Sequence, residues 1–150
     1  MSQTKGEEGH RNSESDDSPV TILVVDDEPQ VCELLEKILR EEGHEVVTAS
    51  GGCQALQVAA ERWPQLILLD VVMPDMDGVS TLRELRRLGH SCAVIMLTAQ
   101  GTIQTAREAM ILGVYDYISK PFDLSLLRTV VRESLKAQRL NRRGVPACVL

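Results

Sequence analysis

The sequence predicts an α/β fold built as a doubly wound parallel sheet with helices on both faces. Three observations carry that reading. Between residues 20 and 140, five short apolar runs of strand length alternate with segments of helical apolar period. The connections between them are only a few residues long. With 150 residues, 43% of them apolar, the chain can bury one substantial core. Right-handed crossovers leave few ways to wind such a sheet.

The first strand begins near Thr21 and holds Ile22-Leu23-Val24-Val25. A helix from about Pro29 to Glu42 follows, with Val31, Leu34, Leu35, Ile38 and Leu39 spaced to form one apolar face. Pro29 suits its first turn and Gly43 its stop. Glu45 to Ala49 is a short strand. Ala55, Leu56, Ala59 and Ala60 form the inner stripe of a second helix ending before Pro64. Leu66-Ile67-Leu68-Leu69 is the third strand, and Met73 to Gly78 is a loop in which Asp77 caps a helix reaching about Leu88, stopped by Gly89. Ala93 to Leu97 is the fourth strand, followed by a helix from Thr102 to Leu112 that Gly113 stops. The fifth strand is Tyr115 to Ser119. Asp123 then caps a last helix that turns Leu127, Val130, Val131 and Leu135 inward and ends near Leu140.

These elements delimit a domain over residues 20–140. Residues 1–19 have almost no apolar side chains and are expected to be a disordered tail. Residues 141–150 are expected to be a flexible tail or a truncated linker. The net charge is −6. In the tail, five acids oppose Lys5 and Arg11; in the domain, seventeen acids oppose twelve bases. That balance argues against direct nucleic-acid binding, which needs a basic face. Cys32, Cys53, Cys92 and Cys148 form no CxxC or zinc spacing, so reduced thiols are expected. No apolar stretch approaches membrane-spanning length and the N-terminus is polar, which points to a cytoplasmic protein without membrane association.

The chemistry lies at strand ends. Asp26-Asp27, Asp70, Thr98 and Lys120 each close an apolar run. In an open parallel sheet the carboxyl ends of the strands share one edge, where ligands bind. Three carboxylates, a hydroxyl and an ammonium can therefore converge. Two carboxylates about 5 Å apart at an effective dielectric near 20 repel by roughly 3 kcal/mol. A fold keeps such a cluster when a cation occupies it, and Mg2+ suits hard oxygen ligands. Asp70, at the rim of the loop Val71 to Asp77, is placed to attack a phosphodonor and become an acyl phosphate, with Lys120 neutralising the developing charge. Thr98 can bond a phosphoryl oxygen, and the N–H groups of Val72 and Ala99 can complete the cradle.

The segments Val24-Val25-Asp26-Asp27-Glu28, Leu69-Asp70-Val71-Val72-Met73-Pro74-Asp75-Met76-Asp77-Gly78, Leu97-Thr98-Ala99 and Tyr117-Ile118-Ser119-Lys120-Pro121-Phe122 resemble the receiver domain of bacterial two-component response regulators. The run Gly101 to Ala106, with Ala109-Met110 and Tyr115-Asp116-Tyr117, looks most like receivers of nitrogen-regulation, sigma-54-dependent activators. The resemblance implies a flavodoxin-like (βα)5 fold with strand order 2-1-3-4-5 and phosphorylation of Asp70 by a sensor histidine kinase. It implies Mg2+ held by Asp26, Asp27, Asp70 and the Val72 carbonyl, with Asp26 acting through water. It further implies Lys120 paired with the phosphoryl group, Thr98 and Tyr117 as the switch pair, and a cis bond before Pro121. On that basis the face over residues 102–140 would control a partner, a phosphorylation-dependent homodimer or an output domain in transcription regulation. The protein would be no enzyme beyond its own phosphotransfer and dephosphorylation.

Three rivals compete. A degenerate receiver would act as a docking module without phosphorylation, yet every pocket residue is present. A phosphoaspartate phosphatase of the haloacid-dehalogenase type needs a second acid two residues after its nucleophile, and Val72 stands there. A mononucleotide binder needs a Ser/Thr/Gly-rich loop after the first strand, where Asp26-Asp27-Glu28-Pro29 would repel phosphate.

Overall fold

The computed structural model describes residues 19–99 and 103–142. Strand and helix alternate five times: β1 (Thr21–Val25), α1 (Pro29–Glu41), β2 (Glu45–Ala49), α2 (Gly52–Arg62), β3 (Leu66–Asp70), α3 (Gly78–Arg87), β4 (Ala93–Thr98), α4 (Ile103–Ile111), β5 (Asp116–Ser119) and α5 (Leu124–Arg142). The sheet is parallel throughout, in the order β2-β1-β3-β4-β5. This is the doubly wound arrangement the alternation predicts.

Period-two alternation splits each central strand between two apolar layers. Leu23, Val25, Ile67, Leu69, Val94 and Met96 pack with Ala55 and Ala59 of α2, Leu82 and Leu85 of α3 and Ala109 of α4. Ile22, Val24, Leu66, Leu68, Ile95 and Leu97 pack with Leu35 and Leu39 of α1 and Leu127, Val131 and Leu135 of α5. Fully burying each large aliphatic side chain contributes about 1.5–3 kcal/mol. That rigid double layer fixes where the strand ends emerge.

Local signals set the element ends. Pro29 stands in the first turn of α1, Asp77 accepts the Ser80 N–H at 2.7 Å, and Asp123 accepts the Ser125 N–H at 2.8 Å. Gly43 and Gly89, at φ 95° and 94°, terminate α1 and α3 in a backbone region that favours glycine. Two inward assignments are corrected. Leu34 is 42% exposed, at the margin of the α1 stripe. Ala60 is exposed, because it lies a further 100° around α2 from the buried Ala59. α5 also runs past Leu140 to Arg142. The remaining tail positions and Thr102 lie outside the described residues. Cys32, Cys53 and Cys92 are free thiols, and Cys148 is also outside the described residues. Among the described residues no helix is long and apolar enough to cross a membrane.

At the amino end of the sheet, His90 is buried and its ring stacks on Trp63 with centroids 4.1 Å apart. Burial, and then the charge of Arg86, holds this imidazole below its ordinary value. The unfolded chain therefore takes up the proton first, and the contribution is full above the ordinary imidazole value of about 6.5 and is lost as pH falls below it toward the depressed value. The urea midpoint, followed by the fluorescence of the sole tryptophan, is expected to drop between pH 7.5 and 5.5. His90→Phe is expected to remove part of that drop; an unchanged profile in the variant would contradict the assignment.

Candidate functional site

Register brings the predicted residues to one edge. Val25 pairs with Leu69, so Asp26 and Asp70 leave neighbouring strands side by side. Thr98 pairs with Ser119, which places Lys120 just beyond the end of β5. The Lys120 N–H donates to the Thr98 carbonyl at 2.7 Å, and the Lys120-Pro121 bond is cis.

The acids cluster. Carboxylate oxygens of Asp26, Asp27 and Asp70 lie within 4.8 Å of one another, Asp26 and Asp70 buried and Asp27 exposed. Lys120 Nζ donates to Asp26 Oδ2 at 2.6 Å and to Asp70 Oδ2 at 3.4 Å, and stands 3.6 Å from Glu28 Oε1. Asp26 also accepts the Glu28 N–H at 2.9 Å, and its own N–H donates to the Ala49 carbonyl at 3.1 Å. The Val72 N–H donates to Asp70 Oδ1 at 3.4 Å. A cleft of about 240 Å³ opens over the cluster, lined by Asp27, Glu28, Asp70, Val72, Ala99 and Lys120.

Electrostatics follow from that packing. Burial, and then the charge of Asp26, raises the Asp70 carboxyl above its ordinary range, with Lys120 and the Val72 N–H opposing. Burial also dominates at Cys32, whose thiol donates to the Asp26 carbonyl at 3.3 Å; with Asp26 adding to it, the pKa is pushed up to about 11. Cys32 is thus an unreactive neighbour.

The loop after Asp70 must turn back tightly. The Gly78 N–H donates to the Val71 carbonyl at 2.7 Å. A Cβ at Gly78 would collide with the Asp70 carbonyl oxygen and stand 2.8 Å from Val71 Cα. Only glycine lets the start of α3 approach the acceptor strand this closely.

Asp26, Asp27, Asp70, Val72, Ala99 and Lys120 are therefore brought together. Thr98 is buried at the last position of β4. Tyr117 is half-buried on β5 against the α2–α3–α4 layer, and its buried hydroxyl has no hydrogen-bond partner. Neither lines the cleft. Glu28 is the residue the sequence reading left out; its signal was a third acid directly after Asp26-Asp27. A larger groove of about 490 Å³ between the end of α1 and α5 holds none of the predicted site residues. There Glu42 is bridged by Arg128 and Arg132.

Comparison with known proteins points the same way. Residues 22–132 match the family described as response regulator receiver domain. The transcriptional regulatory protein ZraR of Klebsiella oxytoca is 39% identical over 126 residues, which cover 84% of this chain and 28% of that protein. Sporulation initiation phosphotransferase F of Bacillus subtilis is 34% identical over 114 residues, covering 76% of this chain and 92% of that one. Among solved structures, a response regulator receiver domain protein from Methanospirillum hungatei superposes with a TM-score of 0.80 at 28% identity, over 83% of this chain and 99% of that one. This chain thus spans little more than a quarter of the first of these relatives.

Proposed function

The chain belongs to the response regulator receiver domain family, and from that premise we propose that Asp70 accepts a phosphoryl group from a sensor histidine kinase. The observation that carries this reading is Asp70 itself, a buried carboxylate at the mouth of the cleft, with one oxygen on the Val72 N–H and the other facing Lys120. Its oxygen attacks phosphorus, an O–P bond forms, and the P–N bond of the donor phosphohistidine breaks with its electron pair returning to the imidazole.

The donor set fits Mg2+: three carboxylates lie within 4.8 Å of one another, and Val72 lines the same cleft. Asp27 and Asp70 would hold the ion with the Val72 carbonyl, and Asp26 would do so through water. Bound Mg2+ would neutralise charge building on the transferring group. Lys120, freed from part of its pairing with Asp26, reorients onto a phosphoryl oxygen. The N–H groups of Val72 and Ala99 supply the remaining donors.

Phosphorylation brings a charge of about −1.5 to −2 to the site. Thr98 is drawn toward it, and Tyr117 shifts its packing as α4 adjusts. The unpartnered Tyr117 hydroxyl supports this step, because moving it breaks no hydrogen bond. The face over residues 102–140 carries Ile103, Met110 and Ile111 exposed. It passes the population shift to a homodimer partner or to an output domain, as in nitrogen-regulation activators. The protein works in the cytoplasm and turns over only its own phosphate.

Incubation with acetyl phosphate and Mg2+, followed by intact mass and light scattering, tests the acceptor. One phosphoryl adduct is expected on the wild type with Mg2+, none without it and none on Asp70→Asn. An adduct that survives in Asp70→Asn, or none on the wild type, would overturn the assignment.

A further inference from the structure

The loop that carries Val72 is anchored to the start of α2. Asp75 accepts the Gly52 N–H at 3.2 Å and the Cys53 N–H at 3.0 Å, both at the start of α2, and the Met76 N–H at 2.8 Å within its own loop. The first turn of any helix leaves N–H groups without intrahelical partners. Here the N-cap position is Gly51, which has no side chain to satisfy them. The cap is supplied in trans, from 22 residues away in sequence. Those bonds, led by the one from Cys53, hold the Asp75 carboxyl below its ordinary range.

The fit is close on every side. A Cβ at Gly51 would stand 2.8 Å from both carboxylate oxygens of Asp75. A Cβ at Gly52 would collide with Thr81 Oγ1 and stand 2.9 Å from Met76 Cβ. The α2 start is in turn tied to the acid pair. Ala49 pairs with Val25, and the Ala49 carbonyl accepts the Asp26 N–H at 3.1 Å. Asp75 thus closes a circuit: through α2 and β2 to the backbone of Asp26 and Asp27, and back along its own loop to Val72.

We propose that Asp75 is a positioning residue for the cation site, clamping the β3–α3 loop to α2 so that the Val72 carbonyl and the Asp26-Asp27 carboxylates keep a fixed separation. The proposal rests on the reading of Asp26, Asp27 and Asp70 as a Mg2+ site. Partners that orient metal ligands typically cost 10–100-fold in metal affinity when removed.

A simple helix cap would also lower stability when lost, so the test must separate the two roles. Mg2+ alone is titrated into the full chain and followed through backbone amide resonances, with urea midpoints measured in parallel. Asp75→Ala is expected to weaken Mg2+ binding about tenfold and to lower the midpoint. The double variant Asp75→Ala with Gly51→Ser supplies a local cap. Gly51 is already extended, at φ −169°, and the three atoms closest to its Cβ all belong to Asp75. This variant is expected to recover the urea midpoint while Mg2+ binding stays weak. Wild-type affinity in Asp75→Ala, or recovery of affinity together with stability in the double variant, would overturn the positioning role alone. A wild-type chain that shows no Mg2+-dependent shifts would overturn the site reading, and the proposal with it.

Discussion

Replacing Lys120 by Met is expected to destabilise the metal-free protein by about 3 kcal/mol, the range seen when one partner of a buried ion pair is removed. The partner left behind decides the size of the effect. The Asp26 side chain is 0% exposed and its Oδ2 accepts from Lys120 Nζ at 2.6 Å. Without the ammonium, the Asp26 carboxylate keeps, among the described residues, only the Glu28 N–H while facing Asp70 and Asp27. The surface pair Arg40–Glu36, with side chains 53% and 37% exposed, sets the opposite limit. Its loss is expected to cost no more than about 0.5 kcal/mol. Adding Asp26→Asn to Lys120→Met removes the stranded charge and is expected to recover most of the stability. Urea denaturation of the single and double variants in chelator measures both. A single-variant loss under 1 kcal/mol would mean that solvent, and not Lys120, compensates Asp26.

What could be read from the residues, and what could not, divides by the range of the contact. Strand ends were legible because each apolar run stops at a charged or hydroxylic residue, and parallel pairing then aligns those ends. Asp77 was legible as a cap because its target, the Ser80 N–H, lies three residues on. Asp75, two positions earlier in the same loop, was not: its targets are on α2, and their approach depends on how two helices pack across Gly51 and Gly52. Leu34 and Ala60 failed for a related reason. Helical period shows which residues share a face, but how wide a face is covered depends on neighbours distant in sequence. The pairing of Lys120 was foreseen only as a cation near a phosphoryl group. That Asp26 is its nearest partner depends on a contact between residues 94 apart in sequence.

Asp70→Asn is expected to stabilise the metal-free protein at pH 7, by about 1 kcal/mol, while abolishing phosphorylation. Asp70 is 5% exposed, with oxygens crowded against those of Asp26 and Asp27. A second carboxylate at about 5 Å costs roughly 3 kcal/mol at an effective dielectric of 20, and Lys120 offsets much of it. Burial comes first among the causes that raise this carboxyl, and Asp26 second. A raised folded-state pKa means that the native protein holds the proton more tightly than the unfolded chain does. Its contribution is therefore fully present in acid and lost as pH climbs through the raised value. The advantage of Asn should accordingly shrink as pH falls through the raised value and the wild-type Asp70 carboxyl takes up its proton. Mg2+ should reverse the order at pH 7, stabilising the wild type through mass action and the variant far less. Denaturation curves at pH 7 and in acid, with and without Mg2+, test the whole set. If Asp70→Asn proved less stable than the wild type at pH 7 without metal, Lys120 would already balance the cluster, and crowding would no longer explain why this site should take a cation.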